Sequence, residues 1–152
     1  LENSGSGVTG AAWRARFQEI FMRDVVRTRS VHQIIVSTAD HERLTDLATA
    51  SLERLPDVAN ELLAEMDRAR VVEEPAVPAN VVRMGSTVTF KSDDGHTRTL
   101  KLVYPVDESL DEHRISVMTP VGAALIGLAE GQSISWTARD GKHHQLTVTK
   151  VT

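Results

Sequence analysis

The chain has 152 residues, carries 17 Lys and Arg against 21 Asp and Glu for a formal net charge of −4, and contains no cysteine. That balance argues against binding nucleic acid through the overall field, and the missing thiols exclude disulfides, a thiolate metal site and a cysteine nucleophile. Hydrophobic residues make up 41%, ordinary for a globular chain, and no apolar run approaches the about 20 residues of a membrane span, so a cytoplasmic protein without a membrane partner is expected.

Residues 1–37 read as an N-terminal extension, partly flexible. Leu1 to Gly10 is rich in Gly and Ser and has no periodic pattern. Ala11 to Arg27 predicts a basic amphipathic helix, with Trp13, Phe17, Ile20, Phe21 and Val25 at helical spacings. Such a helix suits a partner or a membrane surface; the plainer reading is an extension that packs where it can. Val31 to Ser37 is a β-branched run, expected as a short extended lead.

Residues 38–74 predict a helical hairpin. Ser37 or Thr38 serves as the cap, and Asp40 and Glu42 place carboxylates in the first turn. Leu44, Leu47, Ala48, Ser51, Leu52 and Leu55 form one stripe. Pro56 interrupts, and Asp57 opens a second helix with Val58, Ala59, Leu62, Leu63, Met66 and Ala69 on one face. Helices joined so closely are expected to be antiparallel neighbours. This segment holds 10 acidic against 4 basic residues, so the acidity of the whole chain is concentrated here. Residues 75–80, with Pro75 and Pro78, read as a semi-rigid linker.

From residue 81 to 152 the period changes to two. Thr87 to Phe90 is a strand, Ser92-Asp93-Asp94-Gly95 a turn with Asp-Gly at its centre, and Thr97 to Tyr104 the return strand, stopped by Pro105. Val106 to Glu112 is an acidic loop. Ile115 and Val117 then alternate on a strand that runs into a short helix. Thr119 is its predicted N-cap, Pro120 its first residue, and Gly127 its left-handed terminator. Ser133 to Ala138, a second Asp-Gly turn at Asp140-Gly141, and His144 to Val151 complete the pattern. The fold class is therefore α+β: a helical hairpin (a short coiled coil), then about five antiparallel strands with one short helix across them.

Catalytic groupings are not found. His96, His113, His143 and His144 fall in or near turns, without a converging ligand spacing. No metal site, cofactor or catalytic residue is assigned. Phe90, Tyr104 and Trp136 read as core residues rather than as the lining of an aromatic pocket.

The run Val117-Met118-Thr119-Pro120-Val121-Gly122-Ala123-Ala124-Leu125-Ile126-Gly127, followed by Glu130-Gly131 and a strand, resembles the C-terminal signature of the bacterial Gre transcript-cleavage factors. Together with Val81 to Val88 and Thr99 to Pro105 it is still more similar to the Rnk group, the regulators of nucleoside diphosphate kinase, over residues 32–151. The resemblance implies an FKBP-like sheet domain and a regulator that binds RNA polymerase at the β′ subunit rim near the secondary channel. It further implies competition with Gre-type factors, no direct DNA binding and no catalysis of its own. Carried over by motif, the docking surface is Met118, Thr119 and Pro120, with Val121 at its edge. Strand alternation from Ile115 and Val117 would turn Met118 outward, along with Ser116.

Gre factors hold a catalytic Mg²⁺ with carboxylates at the tip of a long coiled coil. In this chain the acids nearest the turn are Glu53, Asp57 and Glu61. The alternative function is thus a cleavage factor that supplies these tip carboxylates to a polymerase-bound Mg²⁺. Arms of roughly 15 residues reach only about 20–25 Å, which disfavours it. The plainer reading of the three acids is a solvated helix surface.

Overall fold

The computed structural model describes residues 25–29, 33–93, 95–138 and 143–152. Most of the expected N-terminal helix and the Arg139–Lys142 turn lie outside the described residues. Where the helix prediction does overlap them, it is overturned. Val25–Arg29 is strand β1, paired antiparallel with β7 (Ser133–Ala138). Two adjacent valines and a threonine favour that extended backbone.

Strand β2 (Ile35–Ser37) leads directly into helix α1 (Thr38–Ala50). Ser37 is the N-cap, its Oγ accepting from the Asp40 amide at 3.1 Å. Helix α1 stops at Ala50, short of the stripe that reached Leu55. Ser51 is its C-cap and turns its hydroxyl back to the Leu47 carbonyl. Pro56 does not break the second helix but opens it: α2 is Pro56–Arg68 with proline in the first turn, where a missing N–H costs nothing. The two helices pack together. His41 Nε2 in the first turn of α1 lies 3.1 Å from the Met66 carbonyl in the last turn of α2.

Strand β3 (Arg70–Val72) pairs in parallel with β2, so Val71 and Val72 leave the helical pattern earlier than expected. Beyond the prolines a six-stranded sheet runs in the order β1-β7-β8-β4-β5-β6, with β4 at Thr87–Ser92, β5 at Thr97–Val103, β6 at Arg114–Ser116 and β8 at His143–Val151. All neighbours are antiparallel except β5 and β6. The purely antiparallel expectation fails there for a physical reason. Residues 104–113 hold two 3-10 turns, Pro105–Asp107 and Leu110–Glu112, and bring the chain back to Lys101, so that β6 runs in the same direction beside the last three residues of β5.

Helix α3 (Pro120–Leu125) is buried along its length apart from Pro120. Gly127 follows at φ +84°, the left-handed region that favours glycine. It has a second reason to lack a side chain: a Cβ there would run into Ile34. Ile34 is fully buried, and its neighbour Ile35 donates to the Gly127 carbonyl at 3.2 Å. The apolar core therefore does not stop at the prolines. Leu44, Ala48, Ala59, Leu62 and Met66 of the helices join Phe90, Leu102, Ile115, Leu125 and Val148 in one connected cluster. No helix among the described residues is long and apolar enough to cross a membrane.

Candidate functional site

The junction of β6 and α3 is built as a closed hydrogen-bond knot. Strand pairing ends at Ser116, and from there the side chains no longer alternate. Ser116 Oγ accepts from the Met118 amide at 2.9 Å. Thr119 Oγ1 donates to the Ser116 carbonyl at 2.7 Å and accepts from the Gly122 amide at 3.0 Å. Thr119 is thus the predicted cap, with an additional bond back to the strand. Gly122 lets the helix start approach this closely, because a Cβ there would overlap the Ser116 carbonyl. From outside, the Glu108 carboxylate accepts from the Ser116 amide at 3.0 Å.

This knot corrects the expected outward orientation of Met118 and Ser116. Met118 is 6% exposed and belongs to the core, Thr119 and Val121 are buried as well, and Ser116 is buried too. Alternation from Ile115 and Val117 cannot be extended to Met118, because the chain turns after Ser116. Of the four residues carried over, Pro120 alone keeps part of its surface. Beside the knot stands the 105–112 segment, where Pro105, Val106, Asp107 and Glu108 are all exposed, Val106 at 89%. Arg114 Nε pins it by donating to the Asp107 carbonyl at 2.7 Å.

The acids at the helical turn are not brought together into a site. Glu53 and Asp57 are exposed and Glu61 is half-buried. No group of three potential metal ligands occurs among the described residues. Of the three aromatics, Phe90 is fully buried and Tyr104 packs against the core.

A second polar cluster, invisible to the sequence reading, lies where α1 meets Arg83, Met84 and Tyr104. Burial lifts the Asp40 carboxyl above the ordinary carboxylate value, against a hydrogen bond from the Met84 backbone and the charges of Arg83 and Arg43. The Arg43 guanidinium stacks 4.5 Å from the centroid of the Tyr104 ring, a favourable cation–π placement. Burial, with Asp40 nearby, also raises the Tyr104 phenol. Arg83 pairs with Glu74 across the linker. Asp40 and Arg43 lie some 30 to 60 residues or more from Glu74, Arg83 and Tyr104 in the chain, so no local spacing signals the cluster. Of the knot the cap Thr119 was readable in the sequence, while the close approach at Gly122 was missed, although a glycine inside a helical pattern is a signal that could have found it.

A sheet that carries a Thr-Pro-capped short helix, preceded by two packed helices, defines the class. Residues 77–152 match the family described as transcription elongation factor GreA/GreB, C-terminal, and residues 32–72 match the Rnk N-terminus. Over 119 residues the chain is 38% identical to the regulator of nucleoside diphosphate kinase of Escherichia coli (strain K12), covering 78% of this chain and 88% of that protein. It is 31% identical over 128 residues to transcription elongation factor GreA of Rhodospirillum rubrum, covering 80% of this chain and 82% of that one. A solved GreA/GreB elongation factor from Nitrosomonas europaea superposes with a TM-score of 0.65 at 36% identity, over 79% of this chain and 99% of that one. The chain belongs to the GreA/GreB family of transcription factors, and its N-terminal helices are of the Rnk type.

Proposed function

We propose that this chain regulates transcription by binding RNA polymerase at the β′ rim near the secondary channel, where it competes with Gre-type factors and cleaves no transcript. The observation that carries this reading is the size of the helical arm. Helices α1 and α2 have 13 residues each, about 20 Å at 1.5 Å per residue. We read them as a short hairpin, residues 38–74, set on an FKBP-like sheet unit, residues 81–152. An arm of this reach occupies the mouth of a channel and keeps its carboxylates away from a distant active centre. Glu53 and Asp57, spread around the turn, serve better as a charged surface than as a metal clamp.

Docking is assigned to Pro120 together with the pinned Pro105–Glu108 segment, since Met118, Thr119 and Val121 are buried. A pull-down of purified core RNA polymerase by this chain tests the reading. Retention that a Gre-type factor displaces supports it; no retention at micromolar concentration defeats it. If the chain is retained and yet releases RNA from backtracked complexes, the tip carboxylates are catalytic after all.

A further inference from the structure

Charge is divided sharply between the parts of this fold. Helices α1 and α2 carry seven Asp and Glu against two Arg. Strands β4, β5, β7 and β8 carry no Asp or Glu at all, in a chain that holds 21. One face of these strands is the core, where Phe90, Leu100 and Val148 are buried. The opposite face is open to solvent. Its positions alternate as Thr, Thr, Lys on β4 and again as Thr, Thr, Lys on β5.

The three lysines among the described residues, Lys91, Lys101 and Lys150, all lie on this face and are all exposed. None of them pairs with a carboxylate among the described residues. Lys150 reaches the face through a register shift in the β4–β8 ladder, which sets it opposite Thr89 while Val148 and Val151 both stay buried. Lys101 stands opposite Thr87. With strands about 4.8 Å apart and about 3.3 Å per residue, the three backbones lie roughly 8 to 14 Å from one another. Hydroxyls fill the space between them. Thr89 and Thr99 touch across β4 and β5 at 2.9 Å, and Ser133 and Thr147 across β7 and β8 at 2.7 Å. A hydroxyl both donates and accepts, so each pair keeps capacity for a ligand above it.

Unpaired cations on a face without acids select a polyanion. A bilayer surface is the poorer match, because the face offers no apolar side chain to insert. Single strands are held by stacking bases on aromatic rings, and the outward positions from Thr87 to Lys91, Thr97 to Lys101 and Gln145 to Lys150 include no aromatic. Duplex RNA fits best. Proteins grip it by phosphates and by 2′-hydroxyls across its wide, shallow minor groove, without reading sequence. We propose that the open face of β4, β5, β7 and β8 binds double-stranded RNA, with Lys91, Lys101 and Lys150 on phosphates and the threonine and serine rows on 2′-hydroxyls. The inference stands apart from the polymerase reading, whose pull-down contains no nucleic acid; either can fail without the other.

Fluorescence anisotropy of a labelled RNA duplex, titrated with the full chain, tests it. Binding at low salt should have a Kd of about 1–100 μM, the range of sequence-independent phosphate contact, and should weaken roughly 40-fold between 50 and 200 mM salt, as about three neutralised phosphates require. Lys91→Gln, Lys101→Gln and Lys150→Gln together should weaken it at least about ten-fold, and each alone should lower the salt slope by about one, with the circular dichroism melt unchanged. Arg54→Gln, an exposed cation at the helical turn, should leave binding as it was. Thr97→Val with Thr99→Val should cost several-fold in affinity and leave the salt slope intact. No binding up to about 500 μM chain, or binding that survives loss of all three lysines, overturns the proposal. So does a DNA duplex or a single strand of the same sequence held as tightly as duplex RNA, since that removes the role of the hydroxyls or of the duplex. Capture of the chain by anionic lipid vesicles with no anisotropy change on RNA assigns the face to a membrane and overturns it equally.

Discussion

Replacing Thr119 probes the knot that joins β6 to α3 most sharply. Its hydroxyl serves two buried backbone groups, the Gly122 amide and the Ser116 carbonyl. Losing an N-cap typically costs about 0.5–2 kcal/mol, and leaving a buried polar group unpaired costs about 1–3 kcal/mol. These overlap at the Gly122 amide, so Thr119→Ala is expected to lose about 2–3 kcal/mol. For a chain of this size that is a fall in Tm of roughly 5–10 °C. Thr119→Val keeps the shape and removes only the hydroxyl, so it should cost as much. Thr119→Ser keeps both hydrogen bonds, deletes one methyl, and should cost about 1 kcal/mol or less. Urea titration of the three variants, with the slope checked for constancy, gives the ranking. If Thr119→Ala stays within about 0.5 kcal/mol of the parent, or Thr119→Ser is as damaging as Thr119→Val, the hydrogen-bond account of the junction is wrong.

Met118→Asp puts a carboxylate into the core and should abolish cooperative unfolding, whereas Met118→Leu should cost under about 1.5 kcal/mol; a folded Met118→Asp protein would show the side chain facing solvent. Gly122→Ala should destabilise by more than about 2 kcal/mol, because its methyl group meets the Ser116 backbone rather than a movable side chain; an unchanged urea midpoint would mean the helix start sits farther from β6. Asp40 has a raised carboxyl pKa, so the folded state holds its proton more tightly than the unfolded chain does. Its contribution to stability therefore falls as pH rises from the unfolded value near 3.8 through the folded one. Asp40→Asn removes that dependence. Over the same window the stability of the variant should fall less with pH than that of the parent, as read from urea midpoints, and parallel curves would contradict the burial of Asp40.

Elements fixed by short-range chemistry were legible in the sequence. Thr119-Pro120 announced a helix start and Gly127 its end, because caps and left-handed glycines act within a few residues. The alternating strands and the two helical stripes were readable for the same reason. What the sequence hid depends on partners far away in the chain. Val25–Arg29 becomes a strand through β7, more than 100 residues on. Arg70–Val72 leaves the helix to pair with Ile35–Ser37. Met118 was misplaced because alternation holds only while strand pairing lasts, and that ends at Ser116. The Asp40, Arg43 and Tyr104 cluster exists only once α1 is brought beside Met84 and Tyr104.

Transcript cleavage on a backtracked RNA polymerase, run with this chain alone and with a Gre-type factor present, tests the central claim most directly. The short-arm account predicts no RNA release by the chain alone, and a loss of factor-stimulated cleavage that grows as the chain is titrated in. Cleavage by the chain itself, or stimulated cleavage unaffected at saturating chain, would contradict it.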